Sequence, residues 1–97
     1  MKRDEILDHA AGLISGERAA DYGDAKENFE NIGAGWRVID KFDIPYSIKV
    51  ALKMDWLKTC RLLATPDHLD SWIDKAGYTA LGGEIATAHR DQKLKAV

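Results

Sequence analysis

The sequence is poor in the features that mark secreted, zinc-binding or membrane proteins. Its one cysteine, Cys60, excludes an intramolecular disulfide and any zinc site built from several thiolates. No apolar run approaches the roughly 20 residues that span a bilayer. The N-terminal segment, Met1 to Glu5, lacks the apolar region of a signal peptide. We therefore expect a cytoplasmic protein without a membrane partner.

An excess of positive charge is also missing. Fourteen Lys and Arg face sixteen Asp and Glu, giving a net charge of −2, which argues against duplex DNA or RNA as a partner. Alternating β-branched residues are absent, so the 97 residues predict one all-α domain, a four-helix bundle with its core at about 3–88 and a polar tail at 89–97. Its modest core favours homo-oligomer formation.

Apolar periodicity and capping residues place the first two helices. The first runs from Arg3 to Ser15, ends at Gly16, and has an apolar stripe of Ile6, Ala10, Leu13 and Ile14. Residues 16–23 form a loop or a broken helix. The second helix is opened by Asp24, which resembles a capping-box partner of Glu27, and it precedes a turn at 41–44. Gly33 and Gly35 weaken this helix and also permit close packing.

The last two helices are predicted to form the centre of the domain. The third spans Pro45 to about Leu63 and is apolar on most sides, which is typical of a central helix. Asp67 caps the fourth, which extends to about Ala88. Its expected packing stripe is Leu69, Ile73, Ala76 and Ala80, with Gly77 allowing close approach and Gly82-Gly83 fraying or kinking the helix.

The polar residues best suited to binding or catalysis lie on these two helices. Asp70 and Asp74 share a helix face at i, i+4, and Lys58 and Arg61 are i, i+3 neighbours on the apolar third helix. The acids either neutralise this cation pair, face water, or bind a metal, while the cations alternatively hold a phosphate. With Glu27 and Glu30 they form a candidate Mg²⁺ set, although Glu-x-x-Glu is also common on solvated faces.

Other candidates carry weaker signals. Arg18 and Tyr22 lie in a segment that runs into a helix N-terminus, where backbone N–H groups favour an anion. Arg18 would add positive charge there and Tyr22 an aromatic face for a base, whereas Asp21 and Asp24 disfavour a phosphate and fit capping better. Tyr78 follows Asp74 by one turn. His68 is either a ligand, a base or a solvated residue at a helix start. Lys49 and Lys53 are expected to be solvated, and the residues typical of a core are Trp36, Trp56 and Trp72.

Several segments together resemble a family of short uncharacterised proteins of tailed bacteriophages and prophages. They are Glu17–Asp24, Glu27–Phe29, Lys58–Leu62, Pro66 and Asp70–Tyr78. More remotely, the pattern is similar to phage nucleotide-modification-associated domains and MazG-like all-α nucleoside triphosphate pyrophosphohydrolases. That resemblance implies an oligomeric helical bundle that handles nucleotides, with Lys58 and Arg61 at phosphates and Glu27, Asp70 and Asp74 as the acidic set.

The chain departs from the MazG pattern in its second acidic pair. Asp-x-x-x-Asp replaces Glu-x-x-Asp, which rotates the second carboxylate by about 100°.

Three hypotheses for the function follow. The first is a phage nucleotide-binding protein of the infected host's cytoplasm, sequestering a nucleotide or cyclic-nucleotide immune signal with Lys58, Arg61, Arg18, Tyr22 and Tyr78. The second is a Mg²⁺-dependent pyrophosphohydrolase using Glu27, Glu30, Asp70 and Asp74, and the third a non-catalytic interaction module.

Overall fold

A computed structural model describes residues 1–16 and 24–96 of the chain, as four helices. They are α1 (Arg3–Ser15), α2 (Ala25–Asp40), α3 (Tyr46–Ala64) and α4 (Leu69–Ala96). Strands do not occur within these ranges, which confirms the all-α prediction for a small single domain. None of the helices in the described ranges is both long and apolar enough to cross a membrane.

Helix boundaries follow local signals at most ends. Asp24 caps α2 as expected, its carboxylate accepting a hydrogen bond from the Lys26 backbone N–H at 3.1 Å. Pro45 immediately precedes α3. The cap predicted for α4 is wrong, because the helix begins at Leu69 and His68, rather than Asp67, lies directly before it. The helix also runs through Gly82 and Gly83 and past the predicted end at Ala88 to Ala96.

The helix α3 lies between α2 on one side and α4 on the other. This central position matches the prediction from its apolar circumference. The described part of α1, in contrast, is exposed at every residue, including its stripe at Ile6 and Leu13. Within the described residues, the predicted four-helix domain therefore consists of a layer of α2, α3 and α4, together with an exposed α1 that buries no residue against it.

Contact between α2 and α3 depends on a glycine and two tryptophans. A Cβ atom on Gly35 would overlap the indole of Trp56, so the glycine permits the close packing that its position predicted. The Trp56 indole N–H donates to the Asn31 carbonyl at 2.9 Å, and the Trp36 indole N–H donates to the Lys53 carbonyl at 3.0 Å. Both indoles thus partly bury their ring while satisfying their one donor.

Lys53 reinforces the same contact and is not the solvated charge that we expected. Its ammonium lies 2.8 Å from an Asp40 carboxylate oxygen and 5.7 Å from the centre of the Trp36 ring. The hydrogen bond from Lys53 lowers the pKa of Asp40 below its usual value, and the nearby charges of Lys53 and Lys49 act in the same direction. Lys49 also reaches the Asp40 carbonyl, at 3.5 Å.

The contact between α3 and α4 uses small and polar residues. A Cβ on Gly82 would lie 2.9 Å from the Ala51 Cβ, so Gly82 allows close approach there. Gly77 does not have that role, because a Cβ atom on it would meet open space, with no packed neighbour within 4 Å. The predicted stripe of α4 is wrong as a packing surface, since Leu69 and Ile73 are 66% and 58% exposed. Ser71, on the other face, is buried.

Candidate functional site: the polar seam between α3 and α4

A row of polar side chains runs along the boundary between α3 and α4. On α3 these side chains recur every three residues and therefore share one face of the helix. On α4 and in the turn before it, their partners follow at spacings of three and four. We call this row the polar seam, and its members are Asp55, Lys58, Arg61, His68, Ser71, Asp74, Lys75 and Thr79.

The first contact of the seam joins Asp55 to α4. One Asp55 carboxylate oxygen accepts a hydrogen bond from the Lys75 ammonium at 2.7 Å and another from the Thr79 hydroxyl at 3.4 Å. The Asp55 and Lys75 side chains are 27% and 29% exposed, so the ion pair is partly shielded from water. Sequence reasoning missed this pair, although Asp55 precedes Lys58 and Arg61 at the same three-residue spacing.

The second contact joins Lys58 to Asp74. The ammonium lies 3.1 Å from the carboxylate, with Lys58 20% and Asp74 51% exposed. One of the acid–cation pairs considered from the sequence is therefore present. Asp70, the other acid of that pattern, is exposed near the start of α4. Lys58 consequently buries its aliphatic stem and directs its charge toward the open edge of the seam.

The third contact, at the C-terminal end of α3, is the most buried. An Arg61 guanidinium nitrogen lies 3.1 Å from His68 Nε2, and His68 Nδ1 lies 2.8 Å from the Ser71 hydroxyl. Arginine can only donate, so Nε2 is the acceptor, and Nδ1 of a neutral imidazole donates to Ser71. Arg61 is 5% and Ser71 1% exposed. His68 thus positions Arg61, a role that the sequence did not indicate.

A cavity of about 230 Å³ lies on the α2 side of α3. It is formed where the N-terminal end of α2 meets the C-terminal end of α3, and carboxylate and amide groups from α2 face an apolar wall from α3. Its lining residues are Asp24, Glu27, Asn28, Asn31, Cys60, Leu63 and Ala64. Burial raises the pKa of the Cys60 thiol, so this wall presents a neutral, weakly polar sulfur.

The structure does not gather the four predicted metal ligands into one group. Glu27 lines the cavity, Glu30 pairs with Lys26 on α2 at 2.6 Å, and Asp74 pairs with Lys58 in the seam. Across the described ranges, no three His, Cys, Asp or Glu residues are grouped so that they could hold a metal ion. Mg²⁺ binding by this set stays a prediction.

The five predicted phosphate- and base-binding residues are divided between two parts of the chain. Lys58 and Arg61 lie one helical turn apart in the seam, and Tyr78 is half-buried on α4, one turn beyond Asp74. Arg18 and Tyr22 fall at residues 17–23, outside the described residues. The structure therefore brings together the cation pair and its neighbours on α4.

Comparison with known proteins places the chain among phage proteins. A family model described as "Domain of unknown function (DUF6378)" matches residues 5–86. The Gene 55 protein of Mycobacterium phage L5 is 40% identical over 77 residues, which cover 78% of this chain and 49% of that protein. The Gene 55 protein of Mycobacterium phage D29 is 39% identical over 75 residues, which cover 77% of this chain and 49% of that protein.

These matches confirm the resemblance to a bacteriophage protein family. The chain spans about half the length of these curated relatives. No solved structure matches the chain.

Proposed function

The chain belongs to the DUF6378 family, and on that premise we propose that it binds a nucleotide through the polar seam. The observation that carries the proposal is the pair of Lys58 and Arg61, one helical turn apart on α3, with Asp74 against Lys58 only half-buried. Two cations one turn apart on a rigid helix bring their positive charges to the same region of the surface, which favours a phosphate group there.

Binding would proceed by exchange of one anion for another. A phosphate oxygen replaces the Asp74 carboxylate at Lys58, and the displaced Asp74 regains water because half of its side chain is already exposed. Arg61 is bonded to His68, which Ser71 holds in turn. Because Arg61 is only 5% exposed, its fixed positive charge attracts the phosphate, and direct contact with a second phosphate oxygen requires the contact with His68 to open. The exchange makes affinity dependent on salt concentration.

The remainder of a nucleotide requires an aromatic face and hydrogen-bonding groups. Tyr78, on the seam side of α4, supplies an aromatic ring one turn from Asp74, and we assign it to the base together with Tyr22. Arg18 is a further phosphate contact in this proposal. Relatives of the chain occur in phages, and we propose that the ligand is a nucleotide or cyclic nucleotide of host immunity, held without being changed.

Turnover would require a different arrangement of acids. A MazG-like pyrophosphohydrolase positions Mg²⁺ with several carboxylates, and here Glu27, Glu30 and Asp74 each have separate surroundings. We therefore propose binding in preference to hydrolysis, and one assay distinguishes the two. Protein is incubated with a nucleotide and Mg²⁺ or Mn²⁺ and separated from unbound nucleotide by gel filtration. The protein fraction is then heat-denatured, and both its supernatant and the unbound fraction are chromatographed. Unaltered nucleotide recovered with the protein supports binding, whereas pyrophosphate and a monophosphate demonstrate hydrolysis.

The variant Lys58→Met tests the role of the seam. We expect it to weaken nucleotide binding by about tenfold or more, because a charge-assisted hydrogen bond contributes about 1.5–3 kcal/mol. Isothermal titration calorimetry with mono-, tri- and cyclic nucleotides measures the change. The matched control is Lys26→Met, which also removes a helical lysine from an ion pair, with Glu30, but at the surface of α2. Equal losses in both variants, or no binding by the wild type, would refute the proposal.

A further inference from the structure

The outer face of α4 carries a heptad stripe that nothing in the described chain covers. Its members follow one another at alternating spacings of four and three residues, the repeat of two helices packed side by side. All are exposed or partly exposed, Leu69 by 66% and Ile73 by 58% of their surface. We define this outer stripe as Leu69, Ile73, Ala76, Ala80, Gly83 and Thr87.

The outer stripe lies opposite the face that α4 uses within the chain. Contacts to α3 come from Asp74, Lys75, Thr79 and Gly82, whereas a Cβ on Gly83 would meet no packed neighbour within 4 Å. The apolar periodicity of α4 is therefore unused by the fold of one chain. A helix with two packing faces normally has a partner on each of them.

The surface area of the molecule is larger than that of a compact monomer and leaves room for a partner. The chain exposes 7487 Å², whereas a compact monomer of 10.8 kDa exposes about 5,500 Å². The excess is roughly 2,000 Å², and a standard interface buries about 800 Å² on each partner. The excess includes the surface of α1, which is exposed at every residue, and it is large enough to contain one side of an ordinary interface.

We infer that the outer stripe is the interface of a homodimer in which two α4 helices pack antiparallel. The stripe runs from large residues at its start to small ones at its end. Antiparallel packing about a two-fold axis between Ala76 and Ala80 sets Leu69 opposite Thr87 of the second copy and Ile73 opposite Gly83. Each large side chain then meets a small one, so the helix axes stay evenly spaced, and the helix dipoles oppose one another favourably.

Two details of the stripe fit its burial. The Thr87 hydroxyl already donates to the carbonyls of Gly83 and Glu84, at 3.0 and 3.1 Å, so covering it leaves no unsatisfied donor. The seam lies on the opposite face of α4, so the dimer leaves Lys58 and Asp74 open. The inference is therefore independent of nucleotide binding and stands or fails separately from it.

The oligomeric state of wild type and two matched variants tests the interface. Ile73→Asp places a charge in the stripe, and Leu81→Asp places the same charge at a residue that is 57% exposed on the same helix but outside the stripe. By light scattering after size exclusion, we expect wild type and Leu81→Asp to be dimers and Ile73→Asp to be a monomer. Circular dichroism checks that all three retain their helices.

Two results of these measurements would overturn the inference. A wild type that stays monomeric at every concentration means that another segment of the chain or another protein covers the stripe. Dissociation by Leu81→Asp with a dimeric Ile73→Asp means that a different face of α4 pairs.

Cysteine cross-linking tests the orientation of the two helices. Leu69→Cys and Thr87→Cys proteins are mixed and oxidised, and the buried native Cys60 does not compete. Antiparallel packing predicts a disulfide between the two different variants and none in either variant alone. A disulfide formed by Leu69→Cys alone would establish parallel packing and contradict the inference.

Discussion

Gly35 shows how a single missing side chain sets the distance between two helices. The position that a Cβ would occupy is filled by the Trp56 ring, which is anchored by its hydrogen bond to the Asn31 carbonyl. The ring cannot move away without breaking that bond. Substitution of Gly35 by alanine therefore forces α2 away from α3. The same substitution at a glycine with empty space around its Cα only raises the helix propensity of that position.

The contrast predicts opposite effects for two glycine-to-alanine variants. We expect Gly35→Ala to lower the free energy of unfolding by about 1–3 kcal/mol through overpacking. Gly77→Ala, with open space around the new methyl group, should raise it by about 0.5–1 kcal/mol. Urea denaturation followed by circular dichroism measures both. A Gly35→Ala protein as stable as wild type would show that α2 and α3 do not approach closely here.

The residues of the seam illustrate what a sequence alone leaves open. Lys58 and Arg61 are predictable because charges on an apolar helix are conspicuous, and Lys58 does pair with Asp74. The pair of Asp55 and Lys75 is not predictable, because 20 residues separate the two. The rules for side-chain pairs on one helix reach only three or four positions. The contact of His68 with Arg61 escapes the same rules, since it depends on the turn that joins α3 to α4.

At the scale of helices, the order and the ends of α1 and α3 are predictable, whereas the ends of α4 are not, and the packing faces are predictable only in part. Capping and breaking residues predict the observed bounds of α1, and they predict each end of α3 to within one residue. The apolar circumference of α3 predicts its central position. For α4, periodicity identifies a stripe but cannot tell which partner it meets, and a polar face packs on α3 instead.

The contact between α3 and α4 gives a prediction at this scale. Asp55→Asn removes the charge that holds Lys75 and weakens the acceptor for Thr79. We expect a loss of about 1 kcal/mol in the free energy of unfolding, because the ion pair is partly shielded from water. The control Asp91→Asn breaks the exposed pair with Arg90 and should cost less than about 0.5 kcal/mol. Equal effects in urea denaturation would contradict the structural role of Asp55.

At the scale of the whole molecule, the chain is longer than a compact domain of its size. Its extents are 55 × 31 × 24 Å and its radius of gyration is 17.0 Å, against about 13 Å for a compact domain of this length. The buried apolar residues of the described chain are only Ile32, Cys60 and Leu62. The predicted four-helix domain is all-α, but α1 buries no residue, because an apolar stripe does not by itself specify a partner.

This uneven packing predicts uneven local stability. The exposed α1 has no buried residue to hold it, so its amides should exchange hydrogen after small local openings. Amides in the central helix α3 should exchange only near global unfolding. Hydrogen exchange measured by mass spectrometry compares the two helices in the intact protein. Protection of α1 equal to that of α3 would show that another surface covers α1.

The three hydrogen-bonded indoles allow tryptophan fluorescence to follow the opening of the helix contacts. Trp36 and Trp56 donate across the junction of α2 with α3, while the Trp72 N–H donates to the Pro66 carbonyl at 2.8 Å in the turn before α4. Loss of the first junction brings two half-buried fluorophores into water and shifts their emission to longer wavelengths. Trp72, already 51% exposed, changes little in that event, so the emission spectrum reads the two sides of α3 separately.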